Sequence, residues 1–504
     1  VDTSSGREIE LKFDVDDSAE VSGLQNLPGV AGVEHPREHH LEAVYFDTSD
    51  LVLAAHHVTL RRRAGGDDAG WHLKLPIGDS ERQEIHAPLA GESLVVPDAL
   101  ARLVRVHVRD RALVAVALVR TRRVVHRLFG PDGEALADVC DDRVEADRLV
   151  PEPAHTSWRE WELELIVAPV DLLEAGRQLF HSLGIRSSAH ASKLARALGD
   201  RFPIEPAPAP VATRSGAVAT VLLAYAHEQI GALTAQDPRV RDDKPDAVHK
   251  MRVATRRLRS ALATYGDLLA DEEGTTHLRR ELRWLAGVLG EARDEHVQQE
   301  RLGALITSEP HELLLGPVAE RVAGQFAVQA SAARQTLLDV LDHARYYRLL
   351  DDLDAWLAAP RFTNVAYRSA RKVVPELLEH DWKDLWAAVR AVAHAPVGRE
   401  HDLALHEVRK RAKRLRYAAE TALPIARKSS RRLALSAQEL QTILGEHQDS
   451  VIARDLLLHR SAVEAYLHGE NTFTYGRLHA KEEATGADAE ARFRRAWKDF
   501  PRPE

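Results

Sequence analysis

Residues 8–12 read Glu8-Ile9-Glu10-Leu11-Lys12, and in a strand this places three charged side chains on one face and two aliphatic ones on the other. Alone, such a stretch is an ordinary solvated strand face, because short patterns match by accident. The arrangement returns in Arg61 and Arg63, in His72 and Lys74, in Arg82 and Glu84, and in Glu160, Glu162 and Glu164. An ordinary antiparallel sheet turns its polar face to water, with charges of mixed type and no need for Arg over Lys. A closed barrel with these faces inward would instead hold buried cations, and an unpaired buried charge is too costly to keep. A polyanionic ligand supplies the partner: arginine offers forked donors to phosphate oxygens, and lysine a compact point charge.

The chain of 504 residues exceeds the size at which one core keeps growing, so two or three domains are expected. Its one cysteine, Cys140, excludes an internal disulfide and a thiolate metal site, and reads as a small core filler. Val1 to Glu10 shows no basic region followed by an apolar run, and no stretch approaches eighteen consecutive apolar residues. The expectation is a soluble, cytoplasmic protein that does not engage membranes. With a formal net charge of −9 there is no global attraction to nucleic acid, so any polyanion site must come from clustering of the 68 Lys and Arg.

Residues 201–212, RFPIEPAPAPVA, read as a semi-rigid spacer between domains at 1–200 and 213–504. Upstream, short alternating runs at Glu8–Phe13, Thr59–Arg63, Trp71–Leu75 and Trp158–Val167 have the period of strands. Downstream, from Ser215, apolar residues recur at helical spacing, with interruptions expected at Pro238, Pro245, Pro310 and Pro360. This half also repeats itself. HKMRVATRRLRSA from His249 matches HEVRKRAKRLRYA from His406, and LGEARD from Leu289 matches LGEHQD from Leu444. The offsets, 406 − 249 = 157 and 444 − 289 = 155, are close enough to argue for duplication, with repeats at about 213–358 and 362–500.

On a helix, His249, Arg252, Arg256 and Arg259 form one face and Met251, Ala254, Leu258 and Leu262 the opposite one. The second copy sets His406, Arg409, Lys413 and Arg416 against Val408, Ala412, Leu415 and Ala419. Basic helix faces are commonly just solvated, balanced by acids a turn away. No Asp or Glu occurs between His249 and Ser260, so this crowding has a stability cost that an external polyanion would relieve.

The N-terminal half, from about Glu8 to Leu198, resembles a CYTH domain of the triphosphate tunnel metalloenzyme family. The residues carrying the resemblance are Glu8-x-Glu10-x-Lys12, Tyr45-Phe46-Asp47-Thr48, Leu60-Arg61-Arg62-Arg63, Leu73-Lys74-Leu75-Pro76, Arg82 and Glu84. Thr121-Arg122-Arg123, Asp138, the Glu160-Glu162-Glu164 strand and Ser192-Lys193 continue it. The resemblance implies an eight-stranded antiparallel β tunnel, in an α+β chain whose second domain is all helical. It implies that Lys12, Arg61, Arg63, Lys74, Arg82, Glu84, Arg123 and Lys193 engage the phosphate chain. Glu8, Glu10, Asp138, Glu162 and Glu164 would hold Mg²⁺ or Mn²⁺, for which all-oxygen ligation is suited and zinc is not. Glu8, Glu10, Lys12 and Lys74 would be the catalytic set. Arg122 and Arg123 are adjacent, so only one shares the inward parity, and Glu160 could lie beyond the metal ligands. His72 reads as a phosphate donor or a bystander. The pairs His39-His40 and His56-His57 read as surface, since neighbours on a strand point to opposite faces.

From about Ser215 to Phe500 the chain resembles the CHAD family of histidine-containing helical domains. The carrying motifs are His249-x-x-Arg252-x-x-x-Arg256-Arg257-Leu258-Arg259 with Arg293-Asp294, and His406-x-x-Arg409-x-x-x-Lys413-Arg414-Leu415-Arg416 with His447 and Asp449. The resemblance implies two helical bundles that bind inorganic polyphosphate through His249, Arg252, Arg256, Arg259, His406, Arg409, Lys413 and Arg416. Asp294 and Asp449 would orient arginines.

The expected function is hydrolysis of inorganic triphosphate, with polyphosphate bound by the helical half. The rivals are a non-catalytic polyphosphate-binding protein, and an enzyme acting on ATP or thiamine triphosphate, as triphosphatase or adenylate cyclase. Nucleic acid is not expected, because the stripes hold only Tyr417 for stacking. Oligomeric state and association with polyphosphate granules stay open at the level of sequence.

Overall fold

The computed structural model describes residues 4–76, 82–89, 91–203 and 208–503, with the side chains of 4–8 and of 295–296 outside that set. The chain divides into two compact units, Val1–Ala207 and Pro208–Glu504. Within the expected spacer, residues 204–207 lie outside the described residues.

The first unit is built on an antiparallel sheet. Its strands are β1 (Ser4–Glu8), β2 (Glu10–Asp14), β3 (Gly32–Val33), β4 (Arg37–Asp47), β5 (Thr59–Ala64), β6 (Gly70–Pro76), β7 (Arg82–Ala87), β8 (Val114–Phe129), β9 (Ala135–Arg148), β10 (Ala154–Leu165) and β11 (Arg186–Ser187). The described path runs β1-β7-β6-β5-β4-β8-β9-β10-β2-β11, with β3 on β8. That makes ten strands in the path, where eight were expected. The difference has a simple origin. β1 and β2 are one run of chain interrupted at Ile9, the first pairing with β7 and the second with β10, and β11 is a two-residue addition. Because one continuous run joins both sides, the sheet closes on itself.

Closure sets an unusual division of labour between the two faces. Leu60, Leu73, Ile85, Trp161 and Leu163 are buried on the outer face, covered by α2 (Asp98–Val108) and α3 (Asp171–Ser182), which follow α1 (Val52–Ala55). The inner face carries the charges, since side chains alternate along each strand. A short α4 (Lys193–Leu198) buries Leu194, Ala197 and Leu198 against Tyr45, Val119 and Val144, and its capping residue Ser192 accepts from the Ala195 N–H. Cys140 is buried, as a core filler should be, and burial pushes its thiol up.

In the second unit the described helices are α5 (Val218–Arg241), α6 (Ala247–Thr264), α7 (Glu272–Thr307), α8 (Val318–Leu341), α9 (Ala344–Ala358), α10 (Ala370–Val392), α11 (Arg399–Thr421), α12 (Arg427–Leu456), α13 (Val463–Leu467) and α14 (Phe473–Lys498). α6 packs between α5 and α7, α11 between α10 and α12, and α6 meets α11. Met251, Ala254, Leu258 and Leu262 are buried, as are Val408, Ala412, Leu415 and Ala419. Pro245, Pro310 and Pro360 fall between helices, but Pro238 does not interrupt α5. The helix continues through it to Arg241, with the proline in its last turn. Among the described residues no helix is long and apolar enough to cross a membrane.

Candidate functional site

The tunnel of the first unit encloses a cavity of about 90 Å³. Its lining includes seven cationic side chains, Lys12, Arg61, Arg63, Lys74, Arg82, Arg123 and Lys193, and five acids, Glu10, Asp68, Glu84, Glu162 and Glu164. The cations thus outnumber the acids, which favours a multiply negative guest.

Register explains the convergence. Lys12 stands opposite Glu162, and Glu10 opposite Glu164, across β2 and β10. Thr59 faces Lys74 across β5 and β6, and Lys74 faces Glu84 across β6 and β7. Arg123 faces inward and makes two hydrogen bonds of 2.7 and 2.6 Å to Asp142 and a further one to Glu162. Its neighbour Arg122 points out, to exposed Glu38 at 2.9 and 2.7 Å. Backbone register sets Glu8 opposite Arg82, but the Glu8 side chain lies outside the described residues.

An acid cluster that sequence reasoning placed only in part adjoins the cavity through Glu162. Asp142, Glu160 and Glu162 are buried, with carboxylate oxygens within 4.8 Å of one another. Lys193 Nζ donates to Glu162 at 2.7 Å and forms ion pairs with Asp142 at 2.8 Å and Glu160 at 2.7 Å. Asp142 was missed, and its signal was the parity of β9, in which Asp138, Cys140 and Asp142 share a face. Asp138 stays apart from the cavity lining. Arg127 holds it by two hydrogen bonds of 2.8 Å. Glu160, which the sequence reading allows to lie beyond the metal ligands, is a member of this cluster and also accepts from the Trp158 indole at 2.7 Å.

Burial works against ionising Glu162, but Lys12, Lys193 and Arg123 overcome it and hold the carboxyl well below the usual range. For Glu10, burial is likewise outweighed, chiefly by Lys12 at 2.9 Å. Burial opposes charge on Lys12 too, yet Glu10 and Glu162 raise it above an ordinary lysine. Arg63 is pushed down to about 9 by burial and then by Arg61 and Arg123, and its Nε is buried with no hydrogen-bond partner among the described residues. Asp68 contacts the same guanidinium. His72 stands between two acceptors, Glu84 at 2.9 Å from Nδ1 and the Asp68 carbonyl at 2.9 Å from Nε2, and burial presses its ring down to about 4, so the neutral ring donates to one of them at a time.

The donor set fits a hard divalent cation. Glu10 and Glu164 face each other directly on adjacent strands, an arrangement that costs stability unless a cation lies between them. With Glu162 they offer oxygen donors alone, suited to Mg²⁺ or Mn²⁺. His40, His56 and His57 are exposed, although the His56 ring lies 4.3 Å from that of His107.

In the second unit, Arg256, Arg259 and Lys413 share a cavity of about 300 Å³ with Arg279, Arg283, Lys410, Arg411 and Arg414. Arg279 and Arg283 come from α7, outside the duplicated motif, and the sequence reading did not include them. Arg252 donates to Asp294 at 2.6 and 3.3 Å, and Asp449 acts on Arg409, as expected of orienting acids. The second half of each repeat adds another feature. A Cβ on Gly290 would stand 3.2 Å from Arg252, and one on Gly445 would stand 3.4 Å from Arg409. The glycines of LGEARD and LGEHQD therefore leave room for the motif arginines to lie along the neighbouring helix. Buried Nε atoms of Arg256 and Arg409 have no hydrogen-bond partner among the described residues.

Arg416 is not brought into that cavity. It donates to Glu420 at 2.8 Å, and His249, Arg252, His406 and Arg409 are likewise not among that cavity's lining residues. Burial and then Arg293 lower His249, and burial together with Arg409 and the neighbouring lysines lowers His406.

The model of the CYTH domain matches residues 6–198, and that of the CHAD domain residues 224–458. The "Uncharacterized protein Rv2226" of Mycobacterium tuberculosis is 37% identical over 500 residues, covering 94% of this chain and 92% of the relative. Among solved structures, PptA from Streptomyces chartreusis aligns at 22% identity and a TM-score of 0.47, covering 56% of this chain and 100% of its own. The CHAD domain from the plant Ricinus communis aligns at 24% identity and a TM-score of 0.47, covering 60% and 99%.

Proposed function

Since the chain belongs to the CYTH–CHAD family, carrying a CYTH domain followed by a CHAD domain, we propose that it is a metal-dependent hydrolase of inorganic triphosphate whose helical unit binds inorganic polyphosphate. The observation that carries the reading is the cavity in which seven cations and five acids converge.

Arg61, Arg63, Lys74 and Arg82 would hold the phosphoryl oxygens. Lys12, Arg123 and Lys193 would exchange part of their contact with Glu162 for substrate oxygens. Water oxygen bonds to the terminal phosphorus, the phosphoanhydride bond breaks, and its electron pair leaves on pyrophosphate. Fixed guanidinium donors stabilise the charge spread over the equatorial oxygens without reorganising at the moment of reaction. A Mg²⁺ or Mn²⁺ held by Glu10, Glu162 and Glu164 would supply charge neutralisation at the phosphoryl oxygens and a more readily deprotonated water. No Ser, Cys or His nucleophile is required, because positioning and neutralisation suffice.

In the helical unit, binding of polyphosphate would raise the local concentration of phosphate chains near the hydrolase. The unsatisfied donors of Arg256 and Arg409 support this reading. The deciding experiment is a phosphate-release screen across tripolyphosphate, long-chain polyphosphate, ATP and thiamine triphosphate with Mg²⁺ or Mn²⁺. Preferred release from tripolyphosphate is expected; no release from any of them would leave a binding protein, and cyclic AMP from ATP would make it a cyclase.

A further inference from the structure

Arg256 on α6 and Lys413 on α11 are equivalent positions of the repeat, 413 − 256 = 157 residues apart. The one departure from arginine in this pair has a chemical consequence. Both side chains line the same cavity, with Arg259 from α6, Arg279 and Arg283 from α7, and Lys410, Arg411 and Arg414 from α11. The acid of that lining is Glu407, and it is already engaged by Lys410 at 2.5 Å and Arg411 at 2.8 Å. Arg414 is turned to Asp381 at 2.7 Å. Lys413 therefore shares the cavity with Arg256 and Arg259 and feels the charge of Arg252 and Arg409 as well. Of such a cluster only an ammonium can relieve the repulsion, because guanidinium keeps its proton at any working pH. Burial, and then Arg256 and Arg409, push the Lys413 amine down to about 6. By contrast, an ordinary lysine is only about 0.1% unprotonated at pH 7.4. An unprotonated amine is a nucleophile, and this one opens on a cavity built to seat phosphate.

We propose that Lys413 is an acylation site for acyl phosphates, with the surrounding guanidinium groups seating the phosphate while Nζ attacks the adjoining acyl carbon. The proposal rests on the reading of this cavity as a phosphate site. Nζ forms a bond to the carbonyl carbon, and the bond from that carbon to the bridging oxygen breaks. Inorganic phosphate leaves with the electron pair, and the nitrogen gives its proton to solvent. The resulting amide can no longer take up a proton, so the cavity holds a polyanion less firmly once acylated.

The test is incubation of the full chain with acetyl phosphate at pH 7.4, followed by peptide mass spectrometry of each lysine over time. Lys413 should acetylate at least about tenfold faster than Lys410 or Lys428, as expected for an amine that is unprotonated where they are charged. Acetic anhydride, which brings no phosphate to seat, should show a smaller preference. Equal rates at the three lysines, or equal preference with both reagents, overturn the proposal. In Arg256→Gln the preference should fall, since both the repulsion and a phosphate donor are reduced. Excess tripolyphosphate should suppress labelling at Lys413 but not at Lys428, which lines neither cavity. Selective labelling that tripolyphosphate leaves unchanged supports the acylation site while counting against polyphosphate as the ligand of this cavity.

Discussion

Lys193 Nζ lies 2.8 Å from the Asp142 carboxylate, joining the first turn of α4 to the inner face of β9. The contact binds a residue assigned to phosphate to an acid that no motif contains. It makes one lysine the common partner of three buried carboxylates, Asp142, Glu160 and Glu162.

Lys193→Met should destabilise the first unit by about 3–5 kcal/mol at neutral pH, because it leaves a buried acid cluster short of one cation. Urea denaturation measures the loss. Added Mn²⁺ should restore more stability to the variant than to the parent, since the freed carboxylates gain a second cation. Equal response of the two proteins would contradict the assignment of Lys193 as their neutralising partner.

Glu10→Gln should lower metal-dependent phosphate release from tripolyphosphate by about 100-fold or more, a scale typical of losing one preorganised charge in an active site. Polyphosphate retention by Pro208–Glu504 should be unaffected. Full activity in the variant would refute the role given to Glu10.

The acid limb of stability follows from the depressed carboxyl of Glu162. A carboxyl lowered on folding contributes stability that is fully present above its unfolded value near 4.3 and is lost as pH falls through the folded value. The stability gap between the parent and Glu162→Gln should therefore be widest above about pH 5 and close as the solution is made more acid. A gap that widens toward low pH would reverse the sign and exclude the stated cause.

Arg252→Glu with Arg409→Glu should abolish salt-sensitive retention of polyphosphate, with the dependence of log affinity on log salt falling by roughly one for each lost phosphate contact. Gly445→Val should weaken retention through Arg409, whose guanidinium stands 3.4 Å from the position of a new Cβ. Unchanged retention in Gly445→Val would mean that the arginine's place along α12 is not needed for binding.

Proton linkage gives an independent reading of the helical unit. Lys413 is lowered to about 6, so a bound polyanion that raises it must draw a proton from solution. Calorimetric titration with tripolyphosphate in buffers of different ionisation enthalpy should detect that uptake between about pH 7 and 9, and Lys413→Arg should remove it.

Local sequence determined much of this protein. Parity along a strand is a property of its own backbone, so the inward charges of Lys12, Arg61, Arg63, Lys74 and Glu162 could be read directly from the period of two. The helical stripes around Arg256 and Lys413, and the duplication behind them, follow in the same way from spacing. What lies between elements belonged to the tertiary structure. Arg122 and Arg123 differ by one position and are equal by composition; the pairing of β8 with β9 turns Arg123 to Asp142 and Arg122 outward. Asp138 and Asp142 share a strand face, yet Arg127 takes one and Lys193 the other. Arg279 and Arg283 reach the helical cavity only because α7 packs on α6. The physical reason is that a charge's role depends on which opposite charge comes within a few ångströms of it, and register and helix packing set that distance.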